Sequence, residues 1–308
     1  MKRVVFFGSQ KLGVEALKEL CKKSDVRLVF TFDPDQHEKW EASVEDFARK
    51  KGITVVKTKT LSNEHVDMVL KAKPDFIFVF GWRNYIPKRV FQAPKGGAIG
   101  MHFSLLPRNR GFAPLNWAVI KGEKKTGASL FYITEKIDAG LLPGQVSFAI
   151  LPSDYISDVK EKAERAGMRL FKQKLPLILS GKIKPKKQDE RKATYNAMRT
   201  PEDGLIRWGK PAQEIYNLVR GVSDPYPGAF CFAEGRKIVI KKCRVGPRLD
   251  YSGTPGQIIN KVLKNGKGEV WILSGKGIII LDEVEIDGRK ENAAVFFKSL
   301  KTRLEPAW

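Results

Sequence analysis

The chain has 308 residues, 42% of them hydrophobic, which provides for about two globular domains and excludes a disordered or fibrous class. No apolar run reaches the roughly 18 residues of a membrane-spanning helix, and the N-terminal run "VVFF" is too short for the core of a signal peptide. A formal net charge of +22 asks for an anionic partner: nucleic acid, nucleotide, polyglutamylated cofactor or acidic surface. Three scattered cysteines, Cys21, Cys231 and Cys243, offer neither a disulfide framework nor a zinc site, which suits a soluble protein of a reducing cytoplasm.

In chain order, "RVVFFG" is a short apolar run ending in glycine, the mark of a buried parallel strand. The helical spacing of "VEALKELCKK" follows, then a strand in "VRLVFTF", a helix in "SVEDFARKKG" stopped by Gly52, and a strand in "ITVVK". "HVDMVLKAK" predicts a helix, "DFIFVFG" a strand apolar on both faces, and "KGGAIGMHF" a fifth strand that ends near His102. Next come a helix in "APLNWAVIKGE", a strand in "TGASLFYIT", and one long or two linked helices in "YISDVKEKAERAGMRLFKQKLPLILSG". Repeated βα units predict an α/β fold, a doubly wound and mostly parallel sheet.

The pattern changes after about residue 190. "DGLIRWGKPAQEIYNLVRG" predicts a short strand and a helix, followed by short strands with turns at Glu234-Gly235 and Asn265-Gly266. Frequent glycines between short strands suggest a small OB-like barrel. The expected organisation is a catalytic domain over 1–190, a linker over 191–204 and a β domain over 205–308, with the basic stretch "GKIKPKKQDERK" (181–192) read as solvated linker.

Ligands of open parallel sheets bind outside the carboxyl ends of the strands. The first such end, "FFGSQKLG", lacks the G-x-G-x-x-G of dinucleotide binding and the Gly-Lys-Ser/Thr of a P-loop. Asp33 is the acidic candidate at the end of the second strand. Of three histidines, His37 and His65 sit in polar surroundings, and with Glu38 and Asp33 the first lacks metal-ligand spacing, so no metal is expected. His102 stands at a strand end before the stiff turn "SLLPRNRG", where an imidazole can move a proton near neutral pH. Asp138, at the end of the next strand, is the candidate carboxylate to orient it and favour its charged form.

The block "HFSLLPRNRGFAPLNWAVIKGEKKTGASLFYITEKIDAG" resembles the signature region of the 10-formyltetrahydrofolate-dependent formyltransferases, the methionyl-tRNA formyltransferase superfamily. The likeness rests on His102, the Ser-Leu-Leu-Pro turn, Arg110-Gly111, Ala113-Pro114, Gly122, Thr126-Gly127 and Ile137-Asp138-Ala139-Gly140. "FGWRNYIP" and "DGLIRWGKPAQEIYNLVRGVSDPYPGAF" extend it over nearly the whole chain. It implies transfer of a formyl group from the folate N10 to a primary amine, with His102 and Asp138 catalytic. It also implies folate contacts from Asn84, Tyr85 and Ile86, from Ser104, Leu105, Leu106 and Pro107, and from Thr134, Glu135, Lys136 and Ile137, with Arg110, Asn116 and Trp117 toward the acceptor.

Gly100 departs from the pattern, because the family motif is Asn-x-His and its Asn supplies an oxyanion donor. Such a donor is worth on the order of 100-fold in rate. The departure leaves open a subgroup with a substitute donor, a folate hydrolase, and a non-catalytic folate-binding protein. The short, acidic "TFDPDQHEKWEASVEDFARKKG" and "RNYIP" resemble the enzymes that formylate nucleotide-linked amino sugars, whereas the basic charge suits methionyl-tRNA. Phe112 stands where the arabinose-type sugar enzymes tend to carry Arg.

Overall fold

In a computed structural model, residues 1–33, 43–264 and 267–305 are described. His37, Glu38 and the turn expected at Asn265-Gly266 lie outside them. The chain divides into two compact units: residues 1–114, 125–149 and 161–196 form the first, and 115–124, 150–160 and 197–308 the second. The 191–204 segment is therefore shared between units, and the second unit also takes two earlier pieces of chain.

The first unit is built on β1 (Arg3–Gly8), α1 (Gln10–Lys23), β2 (Asp25–Thr31), α2 (Val44–Lys50), β3 (Thr54–Lys57), α3 (Asn63–Lys71), β4 (Phe76–Phe80), α4 (Lys88–Phe91) and β5 (Ala98–His102). After β6 (Arg110–Gly111) come β7 (Lys125–Tyr132), β8 (Gly144–Ala149), most of α6 (Ile156–Leu179) and β9 (Tyr195–Asn196), while α5 (Pro114–Ile120), between β6 and β7, falls in the second unit after its first residue. The sheet order is β3-β2-β1-β4-β5-β7-β8. Pairing is parallel from β3 to β5 and antiparallel at β5–β7 and β7–β8, so the mostly parallel doubly wound sheet is present.

Strand periodicity explains why both faces are covered. Val4, Phe6, Phe78 and Phe80 pack with Leu17 and Leu20 of α1 and Phe171 of α6, while Val5, Phe7, Ile77 and Val79 pack with Val66 and Val69 of α3. Successive residues of one strand thus feed opposite cores, which is why these runs are continuously apolar. The long helical pattern is one helix, α6, with Pro176 inside it. Strand β8, "GQVSFA", is absent from the sequence expectations, although its alternation of half-buried and exposed residues is the strand period.

The second unit contains α7 (Ala212–Gly221), β10 (Ala229–Ala233), β11 (Arg236–Val245), β12 (Ile258–Lys264), β13 (Lys267–Leu273), β14 (Ile278–Ile286), β15 (Arg289–Asn292) and α8 (Ala293–Phe296). Its antiparallel sheet runs β10-β11-β14-β13-β12, with β15 on β14. The two edges are joined by the terminal segment: Phe232 of β10 exchanges hydrogen bonds with Glu305, and Leu304 donates to Gly256, just ahead of β12. That closure gives the expected OB-like character. The short strand expected near Leu205 is only an isolated bridge to Phe230. Cys231 and Cys243 are buried here, and burial pushes both thiols far above their ordinary range. Among the described residues no helix is long and apolar enough to cross a membrane.

Candidate active site

His102 is the last residue of β5, so its side chain emerges at the carboxyl edge of the sheet. Its ring is buried and pinned from two sides. Nε2 lies 2.7 Å from the carbonyl oxygen of Asn109, and since a carbonyl only accepts, Nε2 carries a hydrogen and donates. Nδ1 faces Oδ2 of Asp138 at 3.5 Å. The same carboxylate oxygen accepts the Gly111 N–H at 2.7 Å, which fixes its direction. A proton arriving at Nδ1 therefore meets a carboxylate already held in place. The expected His102–Asp138 pair is brought together, at a separation that can tighten when a ligand binds.

The loops that make this possible bend unusually. Asp138, Asn109 and Ala113 have φ of +50°, +56° and +46°, a left-handed region that costs a non-glycine residue about 1 kcal/mol or more. Gly140 allows the Asp138 loop to lie against β7, since a Cβ there would fall 1.7 Å from the Tyr132 carbonyl oxygen. These disfavoured conformations fall in the loops that carry the His102–Asp138 pair, where the surrounding bonds hold them.

The other expected residues divide. Tyr85 and Ile137 are 79% and 59% exposed, on two segments tied together by the Lys88–Glu135 ion pair of 2.5 Å. Thr134, Glu135 and Lys136 are exposed too, and the Thr134 hydroxyl donates to the Lys136 carbonyl. They line a cavity of about 380 Å³ with Phe91, Gln92 and Tyr132, whose lining includes neither His102 nor Asp138. Asn84 is half-buried and Ile86 belongs to the core beneath α3. Ser104 is fully buried, its hydroxyl donating to the Arg108 carbonyl, while Leu105 is half-buried. Leu106, followed by cis Pro107, packs with Phe131 and Leu142.

Arg110 is fully buried, and its guanidinium is engaged by protein: Glu190, Gln188 and the Tyr195 hydroxyl. Asn116 and Trp117 belong to the second unit, where Asn116 Nδ2 donates to the Gly221 carbonyl and Trp117 Nε1 to that of Ala197. Asp33 is ion-paired with Lys57, and His65 caps α3 together with Ser62. Among the described residues no group of His, Cys, Asp or Glu could hold a metal ion.

Gly100 pairs across the ladder with Phe131, on the face of β5 that also carries His102. A Cβ at position 100 would stand 2.8 Å from the Phe131 ring, and that ring meets His102 edge-on at 6.3 Å. The space in which an amide side chain would begin is thus filled by an aromatic ring. Gly100→Asn is expected to destabilise the protein by about 1–3 kcal/mol through overpacking. Phe131→Ala, costing about 3–5 kcal/mol alone, is expected to absorb it, so that in urea unfolding the double variant is less destabilised than the sum of the singles by about 1 kcal/mol or more. Additive effects would show that the two positions do not compete for space.

The sequence misses the segment that holds the site. Residues 181–192, expected as solvated linker, contain Gln188, which is buried and donates to the carbonyls of Asp138 and Gly140, both at 2.8 Å. Beyond it Thr194 Oγ1 accepts the Asn109 N–H, and β9 pairs with β6. The available signal is that Gln188 is the one uncharged residue between Pro185 and Ala193.

Solved structures share the fold, three of them at about one-fifth sequence identity. HypX from Aquifex aeolicus matches at 19% identity and TM-score 0.64, covering 96% of this chain, while this chain spans only 46% of HypX. WlaRD, a sugar 3N-formyl transferase solved with dTDP and 5-N-formyl-THF, matches at 19% identity and TM-score 0.69, with 94% of this chain and 99% of that one covered. An N-formyltransferase from Helicobacter canadensis, in complex with folinic acid and dTDP-3-aminofucose, matches at 20% identity and TM-score 0.69, covering 91% and 99%. A family model for formyl transferase matches residues 1–175, and one for the formyl transferase C-terminal domain matches 199–301. With the His102–Asp138 pair at the carboxyl edge of the sheet in the first matched region, the chain belongs to the formyl transferase family.

Proposed function

We propose that this chain transfers a formyl group from 10-formyltetrahydrofolate to the primary amine of a nucleotide-linked amino sugar. The observation that carries the reading is the His102–Asp138 pair, whose Nδ1–Oδ2 separation is 3.5 Å, within a chain of this family. The folate supplies a formyl group at the acyl level on N10, so transfer breaks one C–N bond and makes another. Exposed Tyr85 and Ile137 offer apolar surface for its flat rings, with polar backbone beside them in 134–138. An amine that attacks an acyl carbon must shed a proton. His102 and Asp138 share that proton between Nδ1 and Oδ2 and return it to the departing N10, which leaves as an amine, so the transfer balances. The amino-sugar acceptor is favoured by the acidic segment after the second strand and by the kind of ligand in the two sugar-enzyme structures.

The test is a mass-spectrometric assay of the purified chain with 10-formyltetrahydrofolate and a panel of amino-sugar nucleotides. A formamide product, heavier by one formyl group, is expected. Free formate without formamide would assign a hydrolase, folate binding without turnover a binding protein, and formylation of methionyl-tRNA alone would overturn the acceptor.

A further inference from the structure

We infer that Gln188 and Arg110 form a positioning clamp that aims the Asp138 carboxylate at His102, an inference that rests on the catalytic reading of that pair. The clamp is a continuous chain of hydrogen bonds. Both N–H groups of the Gln188 amide donate into the Asp138 loop, to the carbonyls of Asp138 and Gly140 at 2.8 Å each. Its Oε1 accepts from Arg110 Nη2 at 2.8 Å and Nε at 3.3 Å. Arg110 is in turn held by both oxygens of Glu190, at 2.9 and 2.7 Å, and by the Tyr195 hydroxyl at 2.8 Å.

The orientation of this amide is dictated by its neighbours. Turned over, it would set N–H against the guanidinium and its oxygen against two carbonyls, losing every bond. The clamp also grips the carboxylate from its other side, because Gly111, the residue after Arg110, donates its N–H to Asp138 Oδ2. One arginine-centred unit therefore fixes both the backbone of the Asp138 loop and the direction of its side chain. The loop needs this, since Asp138 at φ +50° is in a conformation its own sequence disfavours. Neither Gln188 nor Arg110 touches the reacting atoms; both act through Asp138.

Gln188→Glu is the discriminating variant. It keeps shape and the acceptor for Arg110 but presents oxygen, not N–H, to the two loop carbonyls, so the loop must move. A misplacement of about 1 Å at a reacting group costs up to about 100-fold in rate. The expectation is a kcat lowered about 10- to 100-fold with the KM for 10-formyltetrahydrofolate changed less than about three-fold. In ¹⁵N histidine NMR the His102 ring signals, assigned with His102→Gln, shift in Gln188→Glu while those of His65 stay in place. Gln188→Ala, which lacks both donors, shows the same shift and covers the case in which the Glu variant does not fold. Loss of thermal stability with unmoved His102 signals and unchanged kcat would make Gln188 merely structural and overturn the clamp. The NMR readout needs no turnover: a shifted His102 in a chain without formyl transfer would uphold the clamp and overturn the proposed function instead.

Discussion

Replacing His102 by alanine is expected to lower formyl transfer by about 100- to 10,000-fold, the range associated with a positioned general acid–base group, with folate affinity changed only a few-fold. The reason is geometric. The Asp138 carboxylate is already satisfied by the Gly111 N–H, the expected folate-binding surface at Tyr85 and 134–137 lies on other loops, and in the turn after His102 Ser104 is held by the Arg108 carbonyl and Leu106 by Phe131 and Leu142. His102→Ala removes the site at which the proton is held and little else that a folate would contact. Asp138→Asn tests the partner: an amide oxygen can still accept from Gly111, so the loop keeps its shape, but the negative charge facing Nδ1 is gone. A fall of at least about 100-fold in kcat is expected there as well, measured in parallel with the thermal transition to show that both variants are folded. If either variant kept full activity, the proton would be held elsewhere.

A large effect on stability is expected from Arg110→Ala, about 2–4 kcal/mol in urea or thermal unfolding. The side chain is fully buried, so truncation leaves a cavity and strips Gln188 Oε1 of its donors. Glu190 is 59% exposed and recovers solvation when the arginine goes, which keeps the cost below that of breaking a pair buried on both sides. Glu190→Gln is therefore expected to cost much less than Arg110→Ala. Its pH dependence has a definite sign. The Arg110 hydrogen bond holds the Glu190 carboxyl below its ordinary value, so this contribution is fully present above the ordinary carboxylate range. It is lost as the pH falls through the lowered folded value. The Tm difference between wild type and Glu190→Gln should shrink on acidification through that range; a difference that grew would contradict the pairing.

The strands of the first unit were legible because they are buried on both faces. Phe6 and Phe7 feed different cores, as neighbours on a strand do, and a run this short that stops at Gly8 reads as a strand covered on both faces. The edge strand β8 was not, since no residue of "GQVSFA" is fully buried and its Gln and Ser resemble loop residues. The same holds at the site. His102 was readable because it closes a recognisable parallel strand, where sheets present chemistry; Asp138 was readable only as an acidic residue soon after the next strand, since β7 runs antiparallel to β5 and ends beside Ile99. Gln188 and Glu190 were not, since a lysine-rich run with a proline has the composition of a solvated connector. Their role follows from long-range pairing of 194–196 with 109–111, which no local pattern encodes. The fate of Gly100 was half legible: the missing side chain is in the sequence, but the Phe131 ring that fills its place is a cross-strand fact.

The most direct test of the central claim is a single-turnover experiment with enzyme in excess over 10-formyltetrahydrofolate, a nucleotide-linked amino sugar present, for wild type and His102→Ala. The account predicts a formamide product that forms in the wild type and is slowed at least about 100-fold in the variant, with the folate bound by both. Equal rates in the two proteins, or formate in place of formamide in the wild type, would contradict it.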